Sequence, residues 1–170
     1  RQAEQAAEYY QRFLDAGEYD AHAVDFLIEY NEASERWPEL VAVYQLKIPY
    51  MEQDEKVRVG CRVADIFHRY MGETERAIKT YWQVLKMDEG SLEAVDALIG
   101  IYTEREEWER LIDALRHKLH IVSDPASIAD IRLAIATTYK DRLGDLREAK
   151  TFCRAIVAEV PKHHRALDEL

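Results

Sequence analysis

The chain has 170 residues, of which 48% are hydrophobic and 33% charged, and it carries a formal net charge of −10. This composition is typical of a folded protein with a buried core and excludes disorder as its overall state. Acidic residues are spread over every segment, so the surface repels phosphate backbones, which disfavours nucleic acid as a partner and favours a basic or apolar protein segment.

Apolar runs such as Leu40 to Tyr44 fall far short of the ~20 residues that a membrane-spanning helix requires. The chain begins at Arg1 without a charged and then apolar leader, so no targeting segment is read. Cys61 and Cys153 lie at non-equivalent points of a repeated pattern, and we expect no disulfide between them. Unpaired cysteines fit a reducing, cytoplasmic compartment but leave the localisation open.

Helical periodicity begins with Ala6, Tyr10, Phe13 and Leu14, whose spacing of i, i+4, i+7 and i+8 marks one face of a helix. The same spacing returns later in the chain, between short breakers that contain Gly, Pro, Ser or Asp. We therefore predict a second helix of a truncated repeat at 1–17, helix hairpins at 20–51, 53–88, 91–122 and 124–160, and the start of a further repeat at 163–170. No strand alternation is present, so the predicted class is all-α.

The stretch 23–47 recurs 71 residues later as 94–118. Residues that are identical at this constant offset include Asp25/Asp96, Glu35/Glu106, Trp37/Trp108 and Lys47/Lys118. A constant offset over such a length indicates structural repetition. Because one hairpin buries too little apolar surface to be stable alone, we expect a single array over 1–170, with the two tryptophans as core plugs between hairpins.

Two blocks of the chain resemble the tetratricopeptide repeat (TPR). In the last full unit the family's small residue, aromatic residue, turn, helix-B alanine and closing proline correspond to Ala136, Tyr139, Gly144-Asp145, Ala149 and Pro161, with Cys153 in place of the helix-B aromatic residue. In an earlier unit the matches are Ala64, Phe67, Gly72, Ala77 and the helix-B aromatic residue Tyr81, with Glu89 in place of the proline. Leu27, Leu98, Leu40 and Leu111 depart from the pattern. The units run 35 to 36 residues against ~34 in the usual repeat, and we expect the extra residue at the end of the first helix.

The resemblance implies a right-handed α-solenoid of antiparallel helix hairpins, a TPR-like superhelix whose first helices line a concave groove. Partner contacts would then come from first-helix positions that face away from the core: Asn31, Arg58, Asp65, His68, Arg69, Tyr102, Asp130, Thr137 and Lys140. The subset of the family that clamps a C-terminal carboxylate uses Lys and Asn, the first of which fall here on Val24, Cys61, Val95 and Leu133. Such a clamp is therefore not expected, and a groove for an extended or helical peptide is.

The sequence holds no glycine-rich phosphate loop, no G-x-S-x-G elbow and no H-E-x-x-H motif, so we predict neither an enzyme nor a cofactor. His117 with His120, and His163 with His164, lack the three or four converging ligands of a metal site and are interpreted as idle surface residues.

The leading hypothesis is a non-catalytic interaction scaffold, a fragment of a longer protein, that binds a protein or peptide segment. One alternative is self-association through uncapped ends, where Tyr10, Phe13, Ala166 and Leu170 would present apolar surface. RNA binding is a further alternative that the acidic surface disfavours.

Overall fold

The computed structural model describes residues 2–161 and 163–168, with the side chain of Arg165 left aside, so Arg1 and Leu170 lie outside the described residues. Within these ranges every regular element is helical and no strand occurs, which confirms the predicted all-α class. The helices are, in chain order, α1 (Gln2–Asp15), α2 (Ala21–Ala33), α3 (Trp37–Lys47), α4 (Gln53–Arg69), α5 (Thr74–Met87), α6 (Leu92–Glu104), α7 (Trp108–Ile121), α8 (Pro125–Thr138), α9 (Leu146–Glu159) and α10 (His164–Asp168). None of the described helices combines the length and apolar character needed to span a bilayer.

The chain divides into two compact units, Arg1–Met87 and Asp88–Leu170. In the first unit α2 packs on α3 and α4 on α5 as helix hairpins, while α1 packs on α2. In the second unit the hairpins are α6 with α7 and α8 with α9, and α10 packs on α9. The hairpin architecture agrees with the prediction, whereas the single array over 1–170 stays a prediction.

Each unit has its own apolar interior. In the first unit the largest fully buried side chains include Leu27, Leu40 and Ile66, and in the second they include Leu98 and Ile135. The two leucines that depart from the TPR pattern at its small-residue position are thus core residues. Cys61 and Cys153 are buried, one in each unit.

Helix starts are fixed by side-chain caps. The Asp20 carboxylate accepts a hydrogen bond from the Ala23 backbone N–H at 2.7 Å, and the Ser91 hydroxyl accepts one from the Ala94 N–H at 3.4 Å. Asp124 caps α8 in the same way, ahead of a proline in the first turn. At the other end, Pro49 lies in the 3-10 turn that follows α3, so the α-helix ends before it, as expected of a residue without an N–H donor.

The turn within each hairpin contains one residue in the left-handed region. These residues are Glu35 (φ 54°), Gly72 (φ 68°), Glu106 (φ 56°) and Gly144 (φ 69°). After α2 the Arg36 N–H bonds back to the Asn31 carbonyl at 2.8 Å, and after α6 the Glu107 N–H bonds back to the Tyr102 carbonyl at 2.9 Å. These six-residue loops are Schellman caps, in which glycine is the usual left-handed residue. Glutamate occupies that position in both copies of the repeated stretch.

An ion pair explains part of the sequence identity between the copies. Lys47 on α3 pairs with Asp25 on α2 at 3.0 Å, and Lys118 on α7 pairs with Asp96 on α6 at 2.7 Å. All four residues are identical pairs at the constant offset. The pair therefore ties the C-terminal end of the second helix to the first helix in both hairpins.

Trp37 and Trp108 are half-buried, so the prediction that they are core plugs is wrong. Trp37 stacks on Tyr70 with ring centroids 4.1 Å apart, and the Arg142 guanidinium lies 4.7 Å from the Trp108 ring centroid. Tyr70 and Arg142 each come two residues before the left-handed glycine of the next hairpin. The indoles thus pack where one hairpin meets the next within each unit, and each keeps part of its surface open.

The first helix of the last hairpin ends in a π-helical turn. Tyr139–Leu143 continues α8 as a π-helix, whose wider turn takes up one more residue than an α-helical turn. The spacing from Ala136 to Gly144 is nevertheless eight residues, as in the other hairpins, so the extra residue expected at the end of the first helix lies instead between Lys118 and Leu133.

The chain ends differ from the expectation of open apolar surface. Ala166 is 0% exposed and packs with Leu133 and Ile156, because α10 folds back on the preceding hairpin. Tyr10 and Phe13 are only partly buried and pack against the core cluster that α1 and α2 share.

Candidate protein-binding surface

Four of the nine predicted contact residues share one register position. Each first helix has a central residue at the small-residue position of the repeat: Leu27, Ala64, Leu98 and Ala136. Four residues after it, and four residues before the left-handed turn residue, lie Asn31, His68, Tyr102 and Lys140. Their exposure differs, since Lys140 is exposed, His68 is half-buried, and Asn31 and Tyr102 are each 2% exposed. The position thus lies at the border between the core and the outer face.

Asn31 and Tyr102 therefore correct the sequence prediction, which placed them away from the core. They follow Leu27 and Leu98 by four residues, a spacing that puts both side chains on the same helix face as those buried leucines. That spacing was the signal in the sequence that could have identified them as buried.

Arg58 and Asp130 occupy equivalent positions on α4 and α8 and are exposed. They carry opposite charges, so the outer faces of these two first helices are electrostatically different. A ligand that recognises one unit through Arg58 would find a carboxylate at the same place in the other.

A chain of ion pairs crosses from α2 to α4 in the first unit. Arg62 pairs with Glu32 at 2.5 Å and with Asp65 at 3.8 Å, and Arg69 pairs with Asp65 at 2.6 Å. Partial burial lowers the pKa of Arg62, but its bond to Glu32 and the nearby charge outweigh burial, so the net pKa is raised. We name Glu32, Arg62, Asp65 and Arg69 the charged row.

Sequence reasoning found Asp65 and Arg69 but missed Glu32 and Arg62. The spacing of Arg62, Asp65 and Arg69 at i, i+3 and i+7 puts them on one face of α4, a signal that was available. The position of Glu32 opposite this face depends on how α2 packs against α4, which the sequence pattern does not contain.

His68 and Thr137 make local bonds. His68 Nδ1 lies 3.3 Å from the Thr74 hydroxyl and links the end of α4 to the start of α5. The Thr137 hydroxyl donates to the Leu133 and Ala134 carbonyls, each at 3.0 Å. Both side chains therefore have structural partners as well as partial exposure.

A row of aromatic side chains, unnoticed in the sequence, covers one side of α1 and α2. The ring centroids of Tyr10 and Phe26 are 5.0 Å apart, and those of Phe26 and Tyr30 are 6.3 Å apart. Next to them Tyr9 is 67% exposed. Phe26 and Tyr30 stand at i, i+4, so the spacing alone placed them on one helix face.

No group of three or more His, Cys, Asp or Glu side chains within residues 2–161 and 163–168 is arranged to hold a metal ion. His117 Nε2 lies 3.2 Å from the Glu89 carbonyl, and His163 Nδ1 accepts a hydrogen bond from the Ala166 N–H at 3.2 Å. These two histidines have structural contacts, which corrects their interpretation as idle surface residues.

This chain resembles known proteins in its fold but not in its sequence. No family model matches the sequence, and no curated protein matches it. Solved structures do match. MamA is 17% identical with a TM-score of 0.51, and the alignment covers 84% of this chain and 74% of MamA. BtubC (BKLC) from P. vanneervenii is 15% identical with a TM-score of 0.51, covering 92% of this chain and 70% of BtubC.

A third structure, TTC0263, described as a thermophilic TPR protein in Thermus thermophilus, is 16% identical and covers 96% of this chain and 86% of that one. Its TM-score of 0.40 is too low to support an argument. At these identities the likeness to MamA, itself TPR-like, and to BtubC bears on the fold and not on the partner. The hairpins, their left-handed turns and the MamA and BtubC structures together assign the chain a TPR-like helical-repeat fold.

Proposed function

We propose that this chain is a non-catalytic interaction scaffold that binds a protein or peptide segment on the outer faces of the first helices within a unit, α2 and α4 or α6 and α8. A TPR-like fold is typical of protein-interaction scaffolds. The observation that carries the proposal is the charged row, which runs from α2 to α4 and ends on Arg69, whose side chain is 68% exposed.

The chemistry of this face indicates the kind of segment that it suits. The charged row offers both signs of charge along two neighbouring helices, so a partner with alternating polar contacts finds complementary groups on it. The net charge of −10 adds a long-range attraction for basic segments. We therefore favour an extended or helical peptide of basic or mixed character.

The experiment starts from a random peptide library displayed on phage and selected against the whole 170-residue chain. Enriched peptides are synthesised, and their affinity is measured by calorimetry for the parent chain and for the variants Arg58→Glu and Arg69→Glu. Reversing a charge that contacts the peptide is expected to weaken binding about tenfold or more. The matched control is Lys79→Glu, an exposed charge reversal on the second helix α5, which should leave the affinity within about twofold.

Two outcomes would contradict the proposal. If the selection enriches no peptide with saturable binding, the scaffold proposal is rejected. Equal weakening by the α4 variants and by Lys79→Glu shows that binding follows overall charge and not the outer face of the first helices. Circular dichroism of each variant confirms that helix content is retained.

Self-association is the second candidate function, and the aromatic row on α1 and α2 is the observation that favours it. Tyr9, at 67% exposure beside Tyr10, is the kind of residue that a second copy could cover. Light scattering during size exclusion measures the molar mass against concentration. A mass of two or more chains that falls to one chain in Tyr9→Lys supports this candidate, and a constant single-chain mass rejects it.

A further inference from the structure

A pocket of about 210 Å³ opens in the first unit between α1, α2 and α3. Ala7 and Leu27 supply its apolar part, and polar or charged side chains from all three helices complete the wall. No residue of the charged row is among its lining residues, and α4 does not contribute to it. The pocket is therefore separate from the charged row, which joins α2 to α4.

Asn31 lines this pocket with a donor that has no partner. The side chain is 2% exposed, and its Nδ2 makes no hydrogen bond to any of the described residues. Buried polar groups in folded proteins are almost always hydrogen-bonded, so an orphaned donor in a pocket wall requires an explanation. An acceptor brought by a ligand would provide the missing bond.

The rim of the pocket carries both positively and negatively charged side chains. Arg36 and Glu39 form an ion pair with each other at 2.9 Å, and the Gln11 amide donates a hydrogen bond to the Asp15 carboxylate at 2.9 Å. Glu8 and Arg12 also line the pocket, and within the described part of the chain neither makes an ion pair. A ligand therefore meets a cation and a carboxylate that are not already paired with other described residues, next to the Asn31 amide.

We propose that the pocket receives a carboxamide side chain, the glutamine or asparagine of a bound protein segment. Its carbonyl oxygen accepts hydrogen bonds from Asn31 Nδ2–H and from the Arg12 guanidinium, while its NH₂ group donates to Glu8. A carboxylate in the same place would be repelled by Glu8, and an ammonium would leave the Asn31 donor unsatisfied. A neutral group with both a donor and an acceptor is the ligand that these three residues match together.

The inference rests on the proposed function, because it names a side chain that the bound segment would present. The pocket and the charged row are different places on the chain, so an experiment can reject one proposal without rejecting the other. The charged row is tested by Arg69→Glu on selected peptides, whereas the pocket is tested with a probe that is too small to reach α4.

The probe is N-acetyl-glutamine methylamide, titrated into the whole chain and followed by NMR at the Asn31 side-chain amide and the Ala7 methyl group. We expect saturable shifts at both places with a dissociation constant on the order of 1 mM, which is usual for a ligand of this size. The blocked glutamate and the blocked lysine are matched probes of the same backbone. Each should bind about tenfold more weakly than the glutamine probe, the change expected for one lost hydrogen bond to a buried or charged group.

Two variants test the assigned contacts. Asn31→Leu keeps a side chain of similar size without the donor and should weaken the probe about tenfold or more, read at Ala7. Arg12→Gln removes the rim cation at an exposed position and should also weaken it, while Lys79→Gln on α5 serves as the control and should change nothing. Absence of saturable shifts, tighter binding of the glutamate or lysine probe, or an unchanged affinity in Asn31→Leu would each overturn the inference. If the probe fails while library peptides still bind, the scaffold proposal stands and the pocket assignment falls.

Discussion

A buried N–H donor without a hydrogen-bond partner costs free energy, and Asn31 Nδ2 is such a donor within the described part of the chain. The cost is the loss of hydration of the N–H donor, and it is carried by the unliganded chain whatever the pocket binds. At the same register position in the second unit, Tyr102 is equally buried and has interactions of its own. The two copies of the repeated stretch thus place chemically different groups at one structural position.

We predict that Asn31→Leu stabilises the chain by about 1–3 kcal/mol, because an apolar side chain of similar size removes the unsatisfied donor and keeps the packing. The free energy of unfolding is measured by urea denaturation followed by circular dichroism. The matched variant Tyr102→Leu should have the opposite sign, since it removes side-chain volume and an interaction from a filled site. A destabilised Asn31→Leu would mean that the amide has a favourable role in the unliganded fold.

The left-handed residues of the turns supply a second prediction at this scale. Glu35 has φ 54°, a region that disfavours a side chain but suits glycine. We expect Glu35→Gly to raise the free energy of unfolding by about 1 kcal/mol, because relief of the strain exceeds the entropy that glycine gains in the unfolded chain. The control is Glu29→Gly, an exposed position within α2, where the same exchange should destabilise by about 0.5–1 kcal/mol. Equal signs for the two variants would contradict this account.

Among the elements, α8 shows how a cap makes helix stability depend on pH. The Asp124 carboxylate accepts hydrogen bonds from the Ser127 N–H at 2.9 Å and from the Ser127 hydroxyl at 2.8 Å. These bonds favour the charged form, and the pKa of Asp124 is lowered from its ordinary value of 3.8. A carboxyl group with a depressed pKa in the folded state contributes stability above its unfolded pKa and loses that contribution as the pH falls through the folded pKa.

We therefore expect Asp124→Ala to lower the Tm at neutral pH, and the difference from the parent chain to shrink below about pH 3.8 as the parent carboxylate is protonated. Thermal melts between pH 2 and pH 7 test this. Asp124→Asn is the control, because asparagine caps a helix without titrating, so its Tm should cross above that of the parent at low pH. A constant gap between the parent and Asp124→Ala over the whole range would exclude the carboxylate as the source.

Helix positions were the part of the fold that the sequence predicted best. Breakers such as Gly72, Asp124-Pro125 and Gly144 lie in the observed turns or at helix starts, because caps and left-handed residues act within a few neighbours in the sequence. The identity of Asp25 with Asp96 and of Lys47 with Lys118 also had a local cause, the ion pair within each hairpin. Determinants that act over such short distances in the sequence can be recognised in a single sequence.

The candidate surface was predicted less well, since exposure depends on neighbouring helices. Trp37 and Trp108 are large apolar residues at equivalent positions, yet their burial is set by Tyr70 and Arg142, which come more than thirty residues later. Asn31, His68, Tyr102 and Lys140 share one register position, but the register could not tell which of them the adjacent helices would cover. No sequence pattern predicts the pocket beside Asn31, because residues of three different helices form its wall.

For the whole molecule, the division into two compact units at Met87 and Asp88 predicts how the chain responds to a protease. Residues 88–90 are exposed and form a turn between helices, the kind of site where cleavage concentrates. We expect limited digestion with a glutamate-specific protease to cut first after Glu89 and to give two stable fragments of about half the chain each. Mass spectrometry identifies the cut, and circular dichroism measures the helix content of the separated fragments.

The control is Glu89→Gln, which removes the preferred cleavage residue and should slow the appearance of both fragments. First cleavage within α4 or α8, or fragments that are not helical, would show that the two units do not fold independently. In that case the single array predicted over 1–170 would describe the cooperativity of the chain better than two units do.

Within each of the four described hairpins, the central residue of the first helix lies eight residues before the left-handed turn residue. The connection between hairpins is less uniform, because Lys118 and Leu133 are one residue further apart in the sequence than their counterparts Lys47 and Cys61. The chain has therefore tolerated a change of length in the connector that leaves α7 and has kept the hairpin turns uniform. For protein engineering this marks Val122–Ser123 as the place to graft an epitope tag, a linker or a foreign loop, with every turn left intact.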